Sequence, residues 1–319
     1  MSVNSNNQGR AYEYACISVF YQEISRIRPV EIIYNSSYFA AKHAWEQVND
    51  ILKRNLIKSA EAVVSVVFDL EPMILEVDEY KLQLRLQVDC EGELGDVRDL
   101  VIARNNVYWE IGLSLKHNHF AVKHSRLAKK LDFGKKWFDH PCSIDYWNTI
   151  YSIFEYLETE KRNKTEWKNL PDKEEGVYVP LLQAFMDEII RSSIENPDIP
   201  RKMVEYLLGE YDFYKVISVD VKRLTQIQTF NMNGTLNHES KIHKPVTIIP
   251  KVSLPTRIVS FCFKPNSNNT LELYMDEGWQ FTFRIHNAST IVEPSLKFDI
   301  QIIGMPVTIM TINCLWKDN

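Results

Sequence analysis

Apolar residues follow two different periods along the first part of the chain. Over the first 75 residues they recur every three or four positions, which predicts helices over 11–27, 40–57 and 60–75, with a short strand at 31–34. Pro72 is expected to end the third helix, because proline is poorly tolerated inside a helix. Beyond residue 80 the period falls to two, so the chain changes there from helical to extended structure.

The extended stretch predicts three strands in a meander, over 82–88, 97–103 and 107–116. In the first of them leucine and valine alternate with polar residues, as in a strand that buries one face. The run 104–106 has the composition of a turn. A meander of this size needs a helix layer or a second sheet over its apolar face.

Helical patterns return over 146–159, 179–194 and 199–208, and the chain then becomes β-like to its end. The β-like segments are 213–220, 224–231, 245–249, 257–263, 270–275, 279–285, 296–303 and 306–312. We therefore predict an α+β fold, with a first domain over 1–210 and a β-rich region over 211–319.

Composition places the chain among folded, non-membrane proteins. It has 319 residues, 45% apolar and 25% charged, and no run approaches the length of a membrane span. The polar first ten residues do not resemble a secretion signal, and the five scattered cysteines form no CxxC pair. We expect a cytoplasmic protein with reduced thiols.

The net charge of −5 conceals a segregated charge pattern. Residues 116–136 contain seven Lys or Arg and one acid, and residues 214–264 contain eight Lys or Arg and two acids. Residues 137–213 contain sixteen acids and eight Lys or Arg. Such segregation can present a basic groove to nucleic acid, although solvated basic surfaces give the same pattern.

Candidate chemistry lies in the predicted hairpin over 97–116. Because side chains alternate along a strand, Glu110, Ser114 and Lys116 share one face, and Asp99 begins the partner strand. An acid and a lysine placed in this way resemble the PD-(D/E)xK nuclease core, in which carboxylates hold a divalent metal at the scissile phosphate. The resemblance implies that the first domain has a mixed sheet flanked by helices. Mg²⁺ favours carboxylate and water oxygens, and a lysine can orient the attacking water.

The motif departs from that pattern at Ser114, where the acid two residues before the lysine is missing. Glu110 lies on the same face, but about 13 Å further back along the strand, too far to replace that acid directly. The superfamily resemblance instead implies Glu13, in the first helix, as the second metal-binding carboxylate beside Asp99. The full ligand set stays open.

The residues that follow the hairpin are dense in basic and hydrogen-bonding groups, which suit phosphate contacts. Three histidines in this run have no cysteine pair nearby, so a structural zinc site is not expected. The candidate DNA-contacting residues are His117, Asn118, His119, Lys123, His124, Arg126, Lys129 and Lys130. The alternative is a solvated surface loop.

Five runs, 9–14, 35–40, 95–99, 109–127 and 131–137, resemble the HaeIII family of type II restriction endonucleases, and the similarity covers most of residues 9–195. The resemblance implies a Mg²⁺-dependent endonuclease that cuts double-stranded DNA at the palindrome GGCC. It also implies a partner methyltransferase that acts on the same site. The alternatives are a sequence-specific DNA-binding protein with an inactive nuclease core and an unrelated α+β protein with a structural hairpin.

Base recognition is expected in the basic, β-rich region after residue 210, since the N-terminal part is committed to the metal core. Arginine suits the guanine O6 and N7 acceptors of a G·C-only site, so the candidates are Arg223, Arg257 and Arg284. The alternative for each of them, which the sequence favours for any single one, is a phosphate contact or a plain surface position. A palindromic site also suggests a two-fold homodimer, although a monomer can cut the two strands in turn.

Overall fold

The computed structural model describes residues 5–88, 96–120, 122–123 and 125–317. The chain forms two compact units, each discontinuous in sequence: Met1–Phe120, Gly209–Ser253 and Val307–Asn319 in the first, Ala121–Leu208 and Leu254–Pro306 in the second. The boundary predicted near residue 210 coincides with one of the positions where the chain changes unit. Of the residues after it, Gly209–Ser253 and Val307–Asn319 belong to the first unit and Leu254–Pro306 to the second, so a single boundary does not divide the chain into these units.

The secondary structure is of the predicted α+β class. In the described ranges the helices are α1 (Ser5–Ser25), α2 (Ser36–Gln47), α3 (Asp50–Leu70), α4 (Phe133–Phe138), α5 (Ile144–Arg162), α6 (Val179–Glu195) and α7 (Ile199–Leu208). The strands there are β1 (Val30–Ile33), β2 (Leu82–Leu86), β3 (Leu100–Arg104), β4 (Trp109–His117), β5 (Arg126–Ala128), β6 (Phe213–Val219), β7 (Leu224–Phe230), β8 (Ile258–Phe263), β9 (Thr270–Met275), β10 (Gln280–His286), β11 (Ser295–Gly304) and β12 (Thr311–Leu315). Within the same ranges no helix combines the length and apolarity that crossing a membrane requires.

The first unit contains a mixed sheet with strand order β1-β2-β3-β4-β6-β7-β12. The predicted meander is confirmed, because β2, β3 and β4 pair antiparallel in that order. Two pairs are parallel, β1 with β2 and β4 with β6. The second of these joins residues far apart in sequence, such as Leu113 and Tyr214.

One face of this sheet is apolar and is covered by helices. Side chains such as Leu84, Ile102 and Leu113 are fully buried in a core that they share with α1, α2 and α3. Alternation along the strands therefore places the side chains of Ser114 and Lys116 on the opposite, polar face. The helix layer that the meander requires is thus supplied by the N-terminal helices.

The break between α2 and α3 lies ten residues earlier than the sequence predicted. Val48 is extended, and the Asn49 side chain accepts the N–H of Leu52 (2.9 Å), which caps the start of α3. The predicted boundary between 57 and 60 is wrong because apolar periodicity continues through it, whereas an asparagine cap fixes the true start. The predicted end is confirmed, since α3 stops at Leu70, before Pro72.

The segment 245–249 is not a strand, although its sequence is β-like. Pro245 and Pro250 bound it, and neither has an N–H to donate to a ladder. The segment is instead held by isolated hydrogen bonds, such as the one from the Val246 N–H to the carbonyl of Asp69 (2.9 Å).

The second unit has a sheet of order β5-β11-β10-β9-β8, antiparallel throughout, together with α4 to α7. Its core is aromatic. Phe185 of α6 lies 4.8 Å from Phe133 and 5.0 Å from Phe298, measured between ring centroids. Aromatic rings at such separations bury large apolar areas and fix the packing of helix against strand.

Glu71, at the end of α3, is a buried carboxyl that fixes β6. It is fully buried, and its Oε1 accepts the Tyr214 hydroxyl (2.5 Å) and the Asn237 N–H (2.7 Å). Burial raises its pKa to about 7, although both hydrogen bonds oppose that shift. The folded protein therefore holds a proton on Glu71 that the unfolded chain releases near pH 4.5, so stability is lost as pH rises from about 4.5 to about 7.

We expect Glu71→Gln to stabilise the protein at pH 8 by on the order of 3 kcal/mol and to have little effect near pH 4.5. A neutral amide keeps an oxygen for Tyr214 and carries no buried charge. The measurement is urea unfolding at both pH values, with the exposed Glu79→Gln as control. An equal effect of Glu71→Gln at both values would contradict the assignment.

Candidate active site

Asp99 is anchored between two strands of the first unit's sheet at the point where β3 begins. Its N–H donates to the carbonyl of Leu113 (2.8 Å), and its carbonyl accepts the N–H of Gln87 (3.0 Å). Leu113 belongs to β4, and Gln87 directly follows β2. The backbone of Asp99 is therefore fixed from both sides.

The Asp99 carboxylate meets Lys116 across the β3–β4 hairpin. Its Oδ2 lies 3.1 Å from Lys116 Nζ, accepts the Leu115 N–H at 2.6 Å and lies 3.4 Å from Ser114 Oγ. The side chains of Asp99 and Lys116 are 25% and 27% exposed, so solvent reaches the pair. The predicted meeting of acid and lysine is confirmed as geometry, and the chemical roles of these residues stay predictions.

Glu13 lies on α1, the helix that packs against β4. Its carboxylate and that of Asp99 both act on the thiol of Cys16: burial raises the pKa of Cys16, and the two negative charges raise it further. Glu13 is half-buried. Both predicted metal-binding carboxylates therefore lie near enough to one buried thiol to influence its pKa.

Glu110 is engaged elsewhere. Its Oε1 accepts a hydrogen bond from Arg98 Nη1 (2.7 Å), and the same guanidinium binds the Asp96 carboxylate. The sequence predicted that Glu110 shares a face of β4 with Ser114 but lies too far along the strand to replace the missing acid. In the structure Glu110 pairs with Arg98 instead. Arg98 itself was missed, although it stands between two acids of the hairpin.

A buried lysine near the pair was also missed. Lys215 of β6 is the register partner of Ser114, is buried, and donates from Nζ to the carbonyl of Phe120 (2.9 Å). Burial lowers the pKa of Lys215 to about 8, and the positive charge of Lys116 adds to the effect. No local motif announces this residue, because the β4–β6 pairing connects segments about a hundred residues apart.

The residues that follow Lys116 are tied to the end of β6. His117 Nε2 lies 2.9 Å from Asp220 Oδ2, and Asn118 Oδ1 accepts the Asp220 N–H (3.0 Å). The Asn118 N–H donates to the carbonyl of Ser218 (2.8 Å). His119 also interacts with a neighbouring group. These predicted DNA-contacting residues are thus held in a defined arrangement by their own chain.

The rest of the predicted basic run belongs to the second unit, apart from His124, which lies outside the described residues. Lys123 Nζ donates to the carbonyl of Tyr206 (2.7 Å), and burial lowers the pKa of Lys123 to about 8, with a contribution from Lys136. Lys129 pairs with Glu155, so its charge is already matched.

Arg126 and Lys130 of that run are exposed. Arg126 donates from Nη1 to the carbonyl of Ser295 (3.3 Å). This long hydrogen bond goes to a neutral acceptor, so it does not compensate the charge of the guanidinium. These two are therefore the exposed candidates for phosphate contacts among the basic residues of this run that the structure describes in the second unit.

The three arginines proposed as base readers are all exposed and lie in different units. Arg223 occupies the left-handed turn between β6 and β7 in the first unit (φ 47°). In the second unit Arg257 lies 3.8 Å from Asp276, and Arg284 of β10 lies 3.5 Å from Asp299. Each of the three is described within its own unit.

The donor set for a metal ion is small. In the ranges that the structure describes, no three or more His, Cys, Asp or Glu side chains are grouped as metal ligands. Asp99 and Glu13 supply hard carboxylate oxygens, which fits Mg²⁺, an ion that commonly takes one or two carboxylates and completes its shell with water and substrate phosphate.

Comparison with known proteins gives one consistent result. A family model described as HaeIII restriction endonuclease matches residues 9–306. The type II restriction enzyme HaeIII of Haemophilus aegyptius is 51% identical over 319 residues, which is the full length of both chains. No solved structure matches.

Proposed function

The chain belongs to the HaeIII restriction endonuclease family and is a type II restriction endonuclease; from this we propose that it cuts both strands of duplex DNA at GGCC with Mg²⁺. The observation that carries the proposal is the Asp99–Lys116 pair, anchored in the sheet and open to solvent. We place the activity in the cytoplasm, where its substrate, duplex DNA, is found.

The sheet of the first unit supports a PD-(D/E)xK-like core. An acid begins β3, a lysine lies near the end of the adjacent β4, and helices cover the other face. The same face carries Ser114 where that motif has its second acid. We propose that Glu13 supplies the missing carboxylate from α1.

We propose that Asp99 and Glu13 hold the Mg²⁺. When bound, the ion would polarise the scissile phosphate and lower the pKa of a bound water. The Leu115 N–H, donated to Asp99 Oδ2, fixes the direction of the carboxylate. Lys116 Nζ, 3.1 Å from that oxygen, is within reach of a water held at Asp99, where it would orient the nucleophile and offset negative charge as the transition state forms.

The region over 211–319 is proposed to contribute base recognition, and a palindromic target favours a two-fold dimer with one site for each strand. A methyltransferase acting on the same sequence would protect the host DNA and need not bind this enzyme. The alternative function, a DNA-binding protein with an inactive nuclease core, is disfavoured by the intact Asp99–Lys116 pair.

The experiment is incubation of the purified chain with a plasmid that contains GGCC, in Mg²⁺ and in EDTA. We expect discrete fragments whose ends map to GGCC in Mg²⁺ and none in EDTA. A gel shift without cutting would support the alternative function, and fragments that end at another sequence would overturn the assignment of GGCC.

Phosphate binding by the exposed residues of the second unit is tested by salt dependence. We expect the double variant Arg126→Gln, Lys130→Gln to weaken binding similarly on every duplex. The slope of log K against log salt should fall in magnitude by about 0.9 for each phosphate that the variant no longer neutralises. Binding is measured in Ca²⁺ over a salt series, with Lys168→Gln as an exposed basic control. An unchanged slope would identify the run as a solvated surface.

Base reading is tested at Arg223, Arg257 and Arg284 one at a time. An arginine that reads guanine should, when changed to Ala, lose about 1–3 kcal/mol on the GGCC duplex and little on a duplex already mismatched at its own position. Binding of each variant to GGCC and to each single-mismatch duplex gives the comparison. Equal losses on all sequences would place base recognition outside these three residues.

A further inference from the structure

Arg98 is a buried arginine that directly precedes Asp99. It is 5% exposed, and its guanidinium binds Asp96 through Nε (2.8 Å) and Nη2 (2.7 Å) and Glu110 through Nη1 (2.7 Å). The ring of Tyr211 lies 4.0 Å from its central carbon. The charged group is therefore bound by two carboxylates along its edge and by an aromatic ring on one face.

Gly112, in the middle of β4, makes room for this side chain. A Cβ added at Gly112 would overlap the aliphatic carbons of Arg98. Glycine weakens a strand interior and often marks a close approach of another group. Here the absence of a side chain at Gly112 lets the Arg98 side chain pass over β4 and reach Glu110. The crossing point lies two residues before Ser114.

The network also decides which acids of the hairpin are available. Asp96 and Glu110 both pair with one guanidinium, whereas Asp99 pairs with the ammonium of Lys116. A buried ion pair that loses one partner leaves an uncompensated charge and is strongly disturbed. Removal of Arg98 would therefore loosen the chain that leads into Asp99 and leave the buried Asp96 carboxylate without its partner.

We propose that Arg98 is a positioning residue that fixes the Asp99 carboxylate for the metal and keeps the Asp96 carboxylate from competing for it. The inference rests on the proposed function, because it assigns Asp99 to the metal. It adds a residue that has no part in the acid–lysine motif. Arg98 acts through Asp99 and touches neither the water nor the phosphate.

The test compares Arg98→Met with Arg104→Met. Arg104 ends β3, the strand that follows Asp99, and is also buried. It pairs with Glu76 and Asp78, so it is a matched arginine away from Asp99. We expect Arg98→Met to raise the Mg²⁺ concentration for half-maximal cleavage at least about tenfold, and to weaken Ca²⁺ binding to the enzyme–DNA complex by a similar factor in calorimetry. Arg104→Met should lower the unfolding temperature and leave both metal values unchanged.

Tyr211 provides a second pair of variants that keeps all the ion pairs. Tyr211→Phe retains the ring over the guanidinium and should behave as the wild type, whereas Tyr211→Leu should shift the Mg²⁺ requirement in the direction of Arg98→Met. If Arg98→Met does not fold, this pair decides. Unchanged metal values in Arg98→Met, or in Tyr211→Leu when that pair decides, would overturn the inference, while a wild type that needs no divalent metal would overturn the proposed function instead.

Discussion

Asp99→Asn is expected to reduce cleavage of a GGCC duplex by at least about 10³-fold, because the loss of a metal-holding charge removes several kcal/mol of transition-state stabilisation. The amide keeps the shape of the side chain and an oxygen that can accept the Leu115 N–H, so the hairpin should keep its structure. DNA binding measured in Ca²⁺ should change far less than the single-turnover cleavage rate.

The matched control is Glu31→Gln, which removes a carboxylate of the same sheet that pairs with Lys81 on the outer strands. It should cut at the wild-type rate. Wild-type cleavage by Asp99→Asn would remove Asp99 from the metal site and with it the proposed mechanism.

Lys116→Met should lower the single-turnover rate by about 10²- to 10⁴-fold, the range in which positioned proton-transfer groups contribute. Methionine keeps the length of the apolar stem but supplies no charge to a water at Asp99. Because the ammonium also balances the Asp99 carboxylate in the free enzyme, the variant should still bind metal. Ca²⁺ calorimetry checks that point.

Lys81→Met is the corresponding control, since it removes an exposed lysine that directly precedes β2 and pairs with Glu31. Equal rate losses in Lys81→Met and Lys116→Met would indicate a general charge effect on DNA binding. A loss confined to Lys116→Met assigns the effect to the site.

The hairpin was predictable because its signals are local. Period-two alternation places β3 and β4, and an acid at the start of one with a lysine near the end of the other then meet by register alone. The start of α3 was predicted less well, because the apolar period continues across 57–60 and only the cap at Asn49 shows where the helix begins.

The partners that come from distant segments had no such signal. Lys215 and Asp220 reach the site through the parallel pairing of β4 with β6, which no sequence period encodes. The ion pairs of Arg98 depend on the room left by Gly112, a packing relation rather than a pattern. For Lys123 and Lys129, basic composition predicted phosphate contacts, whereas their ammonium groups already have protein partners.

The parallel pairing of Leu113 with Tyr214 has a consequence for how the enzyme is made. A ribosome adds about 5–20 residues per second, so on the order of 5–20 s separate the synthesis of β4 from that of β6. During that time the nascent hairpin carries Asp99 and Lys116 without its neighbouring strand, and β12, which closes the sheet beside β7, comes last of all. We expect the proposed site around Asp99 and Lys116 to stay incomplete in a chain that is still on the ribosome, until β6 has been made and has paired with β4.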